Sequence, residues 1–572
     1  MIERNPGPGA GSLRSTRFGA TVAVGLTAAV LVTAVEAQVL PGPADPGRVD
    51  ERLQSPVRPT SRPPLELQSE DLAPPPAQAG IIKFDFTDLV IEGGTIYPPG
   101  TFADLGAELK GQEISLLQIY ELRDVITTRY RSDGYILSQA VIPAQRIEGG
   151  VVRIEIVEGY VSEAEITGAS DDVAADIRGY LARILAERPL RASTLERTML
   201  LLDDLPGIGA RSVFRPAEGR RGASILAVVV DRTWLSGSLS IDNRGSKSIG
   251  PIQADLSAQA SMMRHQLSLR TLAARPASEL RLGDLGYTYW IGEQGTSLTT
   301  GVRRSWSSPG GRAKPLDIAS LTTSLRAGFS HPLMRSRSQS LRLTGDFTLR
   351  DSGTDLFDGL PTNQRLNQDS LRILSGGLSW DFADRWGGSN VLGATVARGL
   401  DVLNASKPHQ PLRTRRDGEV EFWKLNLTAQ RDMAVGDGLF LTLAAEAQLA
   451  DKPLLSSEEY GVGGKTFGQG FDPSTITGDQ GWAVRGELST LLLTEGPGDL
   501  SLTGFGFGDL GATWNYNPTP RAGWQSLGSA GIGIRGSMLS AASGSLTLAK
   551  PLADGAENGR DWRLFFTFSL RY

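Results

Sequence analysis

The last twelve residues of the chain, DWRLFFTFSLRY, alternate. Trp562, Leu564, Phe566, Phe568, Leu570 and Tyr572 share one parity, and Arg563, Thr567, Ser569 and Arg571 share the other, with Phe565 the one apolar intruder. A period of two predicts a strand, because successive side chains leave opposite faces. Its apolar face is large and aromatic, which suits lipid; an edge strand of a soluble sandwich is the plainer alternative. From Trp234 onward no helical period remains. Strand-like segments start near Leu235, Pro251, Gln266, Glu279, Thr296, Ile318, Gln339, Ser370, Asn390, Glu419, Gly438, Gly481, Leu500, Trp524, Met538 and Trp562. These sixteen segments are an even number, as a single-chain bacterial membrane barrel requires. Residues 235–572 provide about 21 per strand and connection, and about 10 of those suffice to cross a bilayer. The longest Gly-rich interval, 451–480, is long enough to fold back inside. A barrel of this size otherwise leaves an aqueous channel.

Before Trp234 the period changes. Phe84 to Tyr97 reads as a strand. Leu116, Leu117, Ile119, Leu122, Val125 and Ile126 recur at helical spacing between Ser115 and Arg131, with Gly134 just past the end. ILSQAVIP and VVRIEIVEG predict a hairpin around Glu148-Gly149-Gly150. A second unit repeats the order: VSEAEITG a strand, DDVAADIRGYLARILAE a helix, RASTLERTMLLLDDL a helix opened by a Ser193-x-x-Glu196 capping box, and SVFRPAEGRRGASILAVVVD a hairpin. The boundaries are 81–159 and 160–234, two small α+β modules. Residues 55–80 are rich in Pro and predict an extended linker. Residues 38–54 contain DPGRVDERLQ, either a short helix with Asp45 as cap and Pro46 at its first position or a disordered tail.

Composition sets the compartment. Arg14 and Arg17 precede an apolar run from Phe18 to Val35, and Val35-Glu36-Ala37 offers small residues for cleavage. A signal peptide over 1–37 is therefore expected, with Gln38 the first mature residue. No other stretch approaches the roughly 18 apolar residues of a membrane helix. A secreted chain that spans a bilayer must then do so as a closed barrel, since hydrocarbon leaves an unpaired backbone group without a partner. The 68 glycines suit turns and curved strands, the absence of Cys removes disulfides and thiolate chemistry, and a net charge of −5 gives no sign of nucleic-acid binding.

Several motifs imitate enzymes. Gly464-Lys465-Thr466 ends like a phosphate-binding loop, but Glu459 stands where its first Gly should be and no helix follows. Gly506-Phe507-Gly508-Asp509-Leu510-Gly511 spells a dinucleotide fingerprint but runs into the strand ATWNY. The histidines His265, His331 and His409 are scattered, so neither a metal site nor a Ser/His pair is suggested. No catalysis, nucleotide or cofactor is expected.

The order of signal peptide, Pro-rich linker, two α+β modules and a sixteen-stranded barrel ending on an aromatic resembles the outer-membrane transporters of two-partner secretion. These form the haemolysin/haemagglutinin secretion-activation family, within the superfamily of barrels bearing POTRA modules. VIPAQRIEGGVVRIEIVEG is similar to the end of a first POTRA, IDNRGS (241–246) to the exit of the first barrel strand, and GFGDLG, with Phe507, Asp509 and Gly511, to the F-x-D-x-G strand motif. The resemblance implies a transmembrane β-barrel of 16 antiparallel strands preceded by two periplasmic POTRA modules. It also implies a pore-plugging role for the helix before the linker. The implied partners are a secreted, adhesin- or cytolysin-like exoprotein bound by the modules, outer-membrane lipid, and the barrel-assembly machinery that reads the C-terminal signal Phe568, Leu570 and Tyr572. An assembly factor for other barrels and a diffusion porin are the alternatives.

One motif departs from the family. The resemblance implies V-R-G-Y/F in the long loop, its Arg meeting the Asp of F-x-D-x-G. Here the loop reads Phe467-Gly468-Gln469-Gly470-Phe471, with Gln469 in the arginine's place. The string Val484-Arg485-Gly486 lies beyond the loop and reads as strand. Folding the chain about the connection near Glu495–Gly498 brings Arg485 opposite Asp509. This predicts an Arg485–Asp509 pair in the wall, with Gln469 reaching Asp509 or its neighbours from the loop.

Overall fold

The computed structural model describes residues 48, 59–60, 74–358, 363–408, 410–494, 500–516, 523–539, 541–553 and 559–572. The expected signal peptide, nearly all of 38–54, most of the linker, His409 and the connection at 495–499 lie outside the described residues.

The first module contains β1 (Lys83–Asp85), β2 (Asp88–Glu92), β3 (Glu113–Ser115), α1 (Leu116–Ser132), β4 (Gln139–Val141) and β5 (Val151–Val157). The single strand expected over Phe84–Tyr97 is instead two. β1 pairs with β3, while β2 runs parallel to β5, which pairs antiparallel with β4. The chain changes partners at Phe86, whose ring is fully buried. Its N–H bonds Gln112 at 2.9 Å and that of Thr87 bonds Gly150 at 2.8 Å. Gly93 and Gly94, both at positive φ, then end β2. The helix α1 has the ends its sequence asks for. The Ser115 N–H donates to Gln118 Oε1 at 2.8 Å. At the other end Gly134 adopts φ 94°, and the N–H groups of Gly134 and Tyr135 bond the carbonyls of Arg131 and Tyr130 at 3.0 and 2.9 Å. Its buried stripe of Ile119, Ile126 and Tyr130 packs on Val152, Ile154 and Ile156.

The second module contains β6 (Tyr160–Thr167), α2 (Asp171–Ala186), α3 (Ala192–Asp203), β7 (Ile208–Pro216) and β8 (Ala223–Arg232), in sheet order β6-β8-β7. Its core is aliphatic: Ile177, Leu181, Ile184, Leu202, Leu226 and Val228 are all fully buried. The capping box expected at Ser193 does not form. The helix begins two residues earlier, at Ala192, with Arg191 at its cap. Glu196 instead accepts the N–H of Arg337 at 2.8 Å, in a barrel turn; a tertiary contact has claimed the side chain that the local motif needs.

Among the described residues, sixteen strands close into a barrel in which every neighbour is antiparallel. They are β9 (Leu235–Asp242), β10 (Ile252–Met262), β11 (His265–Arg275), β12 (Leu280–Ile291), β13 (Thr296–Ser307), β14 (Ala319–Arg335), β15 (Gln339–Leu356), β16 (Gln364–Ala383), β17 (Gly388–Gly399), β18 (Trp423–Gly436) and β19 (Leu439–Ala450), and then β22 (Gln480–Leu493), β23 (Ser501–Trp514), β24 (Gln525–Met538), β25 (Ala542–Pro551) and β26 (Arg563–Arg571). The remaining pair, β20 (Tyr460–Val462) and β21 (Ile476–Gly478), forms a small hairpin within the long connection from β19 to β22.

Three strand starts differ visibly from the sequence reading. β16 begins at Gln364 rather than Ser370, because QRLNQD pairs with β15 although Leu366 is its one apolar residue. β18 begins at Trp423 rather than Glu419, because Glu419 bridges Leu454 of the long connection instead. β25 begins at Ala542 rather than Met538, which still belongs to β24. The parity of β26 holds: Leu564, Phe568 and Leu570 are exposed outward, while Phe565 is buried inside.

The second module seats on the barrel's short turns. Tyr180 Oη donates to Gly292 O at 3.0 Å, Arg264 bonds Asp176 at 3.3 Å, and Arg335 makes a two-pronged bond to Asp204 at 2.8 and 2.9 Å. These turns mark the module side; the long connections lie on the far side.

Candidate functional site: the occluded lumen

Inward parity carries charge. Arg350 on β15, Lys424 on β18, Gln448 on β19, Glu487 on β22, Asp509 on β23, Ser529 on β24 and Arg563 on β26 are all wholly or largely buried. A buried charge is tolerated only when paired and hydrogen-bonded. The partners come from the connection 451–480, which descends into the lumen.

The root of this loop is held by a cluster of ion pairs. Asp479, fully buried, takes Arg415 Nη1 at 2.5 Å and the N–H groups of Leu454 and Tyr516 at 2.7 and 2.9 Å. The same guanidinium reaches Glu459 at 2.8 Å. Glu458 meets Lys424 at 2.7 Å and also Arg350. Arg48, the described residue of the N-terminal segment, is buried against this root, with Nη2 on the Glu459 carbonyl at 2.9 Å. Thr60 bonds Asp381 through its N–H and hydroxyl at 2.8 and 2.6 Å, on inward parity near the module-side end of β16. Two points of the segment before the modules therefore touch the barrel interior.

The tip of the loop carries the site residues expected from sequence. Gly468 adopts φ 69°, and a Cβ there would strike Leu527 at 2.8 Å; one on Gly470 would meet Ser529 at 2.9 Å. Backbone thus lies directly on the wall. Phe471 is buried with Phe467, Val462 and Leu527 in a small apolar cluster. Gly511 faces Val462 of β20, and a Cβ at this position would lie 2.6 Å from it. That close approach explains the glycine of F-x-D-x-G. Phe507 packs beside Phe565 and Ala549 inside the wall.

Arg485 and Asp509 are register partners across β22 and β23. Their hydrogen bonds go elsewhere. Asp509 accepts the backbone N–H of Gln469 at 3.0 Å, the N–H of Ser529 at 3.1 Å and its hydroxyl at 2.6 Å. Arg485 donates to Thr466 O at 3.3 Å and lies 3.8 Å from Glu487. The expected wall ion pair is thus displaced by neutral donors on Asp509. Gln469 reaches Asp509 through its main-chain N–H, which any residue but proline could supply.

Gly464-Lys465-Thr466 forms part of the lumen lining and is not followed by a helix. The second Gly-rich string lies wholly in β23. Sequence reading missed Arg415, Asp479, Glu458, Arg48 and Asp472. Asp472 sits in the FDPST string of the Gly-rich loop and Arg415 in a connection rich in Arg, so neither carried a period that could mark it.

A barrel plugged by its own far-side loop and joined to small α+β modules narrows the field. A family model described as haemolysin secretion/activation protein ShlB/FhaC/HecB matches residues 222–536, more than half of the chain. The chain belongs to this family. A ShlB-type POTRA domain model matches residues 84–159. The chain is 24% identical to the heme/hemopexin transporter protein HuxB of Haemophilus influenzae, over 67% of each chain. It is 25% identical to the outer membrane transporter CdiB of Escherichia coli, over 72% of this chain and 70% of that one. The solved structure of CdiB from Escherichia coli superposes with a TM-score of 0.67 at 21% identity, covering 96% of this chain and 98% of that one. This ShlB-family barrel lies in the outer membrane, with its module side in the periplasm.

Proposed function

We propose that this ShlB-family barrel exports one secreted exoprotein, capturing it unfolded at the periplasmic modules and passing it through the lumen to the cell surface. The second module, residues 160–234, is read as a second POTRA because its sheet β6-β8-β7 has the same pattern as β2-β5-β4, one parallel and one antiparallel pair about a central strand, and because it seats on the periplasmic turns. The carrying observation is the lumen itself. It is lined by hydrogen-bonding and charged groups and filled by an inserted loop rather than by side chains of the wall. Such a path keeps an extended chain wet once the loop withdraws, and the loop closes the membrane at rest.

Capture rests on open sheet edges. Among the described residues, the orders β2-β5-β4 and β6-β8-β7 each leave two outer strands with one unpaired side, and an extended client can add there as a further strand. Such pairing reads backbone and apolar alternation, which favours a β-rich cargo. The periplasm offers no ATP, so capture on one side and folding on the other supply the direction. Deleting residues 81–157 is expected to leave a heat-modifiable, conducting barrel that no longer brings its exoprotein to the surface. Normal export by that variant would refute capture, and loss of other outer-membrane barrels instead of the exoprotein would support an assembly factor.

A further inference from the structure

The tip of the long loop holds no arginine at 469, yet an ion pair still ties tip to wall. Its polarity is reversed. The loop contributes the carboxylate, Asp472, and the wall contributes Arg563 of β26, with Nη2 to Oδ1 at 2.5 Å and side chains 6% and 12% exposed. The same guanidinium donates to the carbonyl of Gly470 at 3.0 Å, next to the Gly470 N–H that bonds Ser529 at 3.0 Å. Beneath it lies Phe565, the apolar residue that interrupts the polar parity of the last strand. Arg563 sits 5.0 Å from its ring centroid and Arg244, from the connection after β9, sits 4.5 Å from it. An aromatic face attracts a guanidinium and limits its rotamers, so Phe565 holds Arg563 aimed at the loop.

We propose that Arg563, seated on Phe565, is the positioning residue that locks the long loop in the lumen, the ionic anchor having passed from the loop to the last strand. Asp509 is satisfied by neutral donors and so serves as a hydrogen-bond acceptor rather than the charged half of the lock. With Asp509 on β23, Ser529 on β24 and Arg563 on β26, the tip is tied to three of the four strands that end the chain. Loss of Arg563 would leave Asp472 buried without its guanidinium, and the loop could hydrate that carboxylate only by leaving the wall.

The full-length protein in planar bilayers, with heat-modifiable gel mobility as a check on folding, tests this without any exported partner, so its outcome is separate from that of the export reading. Arg563→Gln and Asp472→Asn are each expected to raise the resting open probability about tenfold or more, while Asp509→Asn changes it far less. Phe565→Leu, which keeps the apolar bulk but removes the aromatic face, should open the pore to a smaller degree. The exchange R563E/D472R should leak less than R563E or D472R alone. A closed pore in Arg563→Gln, or an Asp509→Asn variant that leaks as much as Arg563→Gln, would overturn the proposal, as would strict additivity in the exchange. If the reversed-charge variants fail to fold, the neutral variants decide alone.

Discussion

The second periplasmic module and the barrel are both built from strands of period two, yet they are inside-out versions of each other. In the module the apolar face turns inward, and Ile177, Leu181, Leu226 and Val228 make a dry core under α2 and α3. In the barrel the apolar face turns outward, with Leu510, Ile532, Leu564 and Phe568 exposed, while the interior holds Arg415, Asp479, Glu458 and Asp509. The module is held by area removed from water, which is non-directional. The barrel interior is held by paired charges and hydrogen bonds, which are directional and fail when one partner is lost. The same alternation thus serves two solvents, and the polar interior holds the loop by directional bonds.

The comparison can be broken hardest at the loop root. Arg415→Ala removes a guanidinium shared by Asp479 and Glu459, with an expected cost of about 3–5 kcal/mol. Thermal unfolding of the purified barrel and its resting conductance should both register it. In the module, Leu226→Ala opens a cavity in an apolar core and should cost about 2–5 kcal/mol. Export should fall while the heat-modifiable barrel survives, because β8 is not part of the barrel ladder. On the outer wall, Phe568→Arg should reduce folded barrel by about 2–4 kcal/mol if it lies near the midplane. Ser569→Arg faces the opposite way and should be milder; equal effects on gel mobility would contradict the parity.

The smallest effect concerns pH in the first module. Burial pushes the Glu158 carboxyl up, but hydrogen bonds from the Thr95 N–H and hydroxyl, the Ile96 N–H and Tyr130 outweigh it and hold it below its usual value. A depressed carboxylate stabilises the fold above its unfolded pKa, and that contribution is lost as pH falls through the folded value. The first module should therefore weaken below about pH 4, and Glu158→Gln should flatten that decline in near-ultraviolet dichroism.

Much of this architecture was legible in the chain. Sixteen alternating segments announced the barrel, because lipid and lumen impose opposite requirements on successive residues. The helical spacing from Leu116 to Ile126 and the glycine Gly134 just past its end announced α1, because both are local. Gly511 and Asp509 could be singled out by their motif. The Ser193 box failed for the opposite reason: Glu196 was within reach of Arg337, a partner 141 residues away.

What the sequence determined by itself, then, was what depends on near neighbours: the period of each strand, the helix ends, the direction in which β26 shows its aromatics, and the register that sets Arg485 beside Asp509. What only the tertiary structure decided was who pairs with whom inside the lumen. Asp472 meets Arg563, Arg415 meets Asp479, and Asp509 is satisfied by a backbone amide and a serine. A buried charge must find a partner, but its identity depends on which loop the closed barrel brings within about 3 Å. No spacing along the chain encodes that distance.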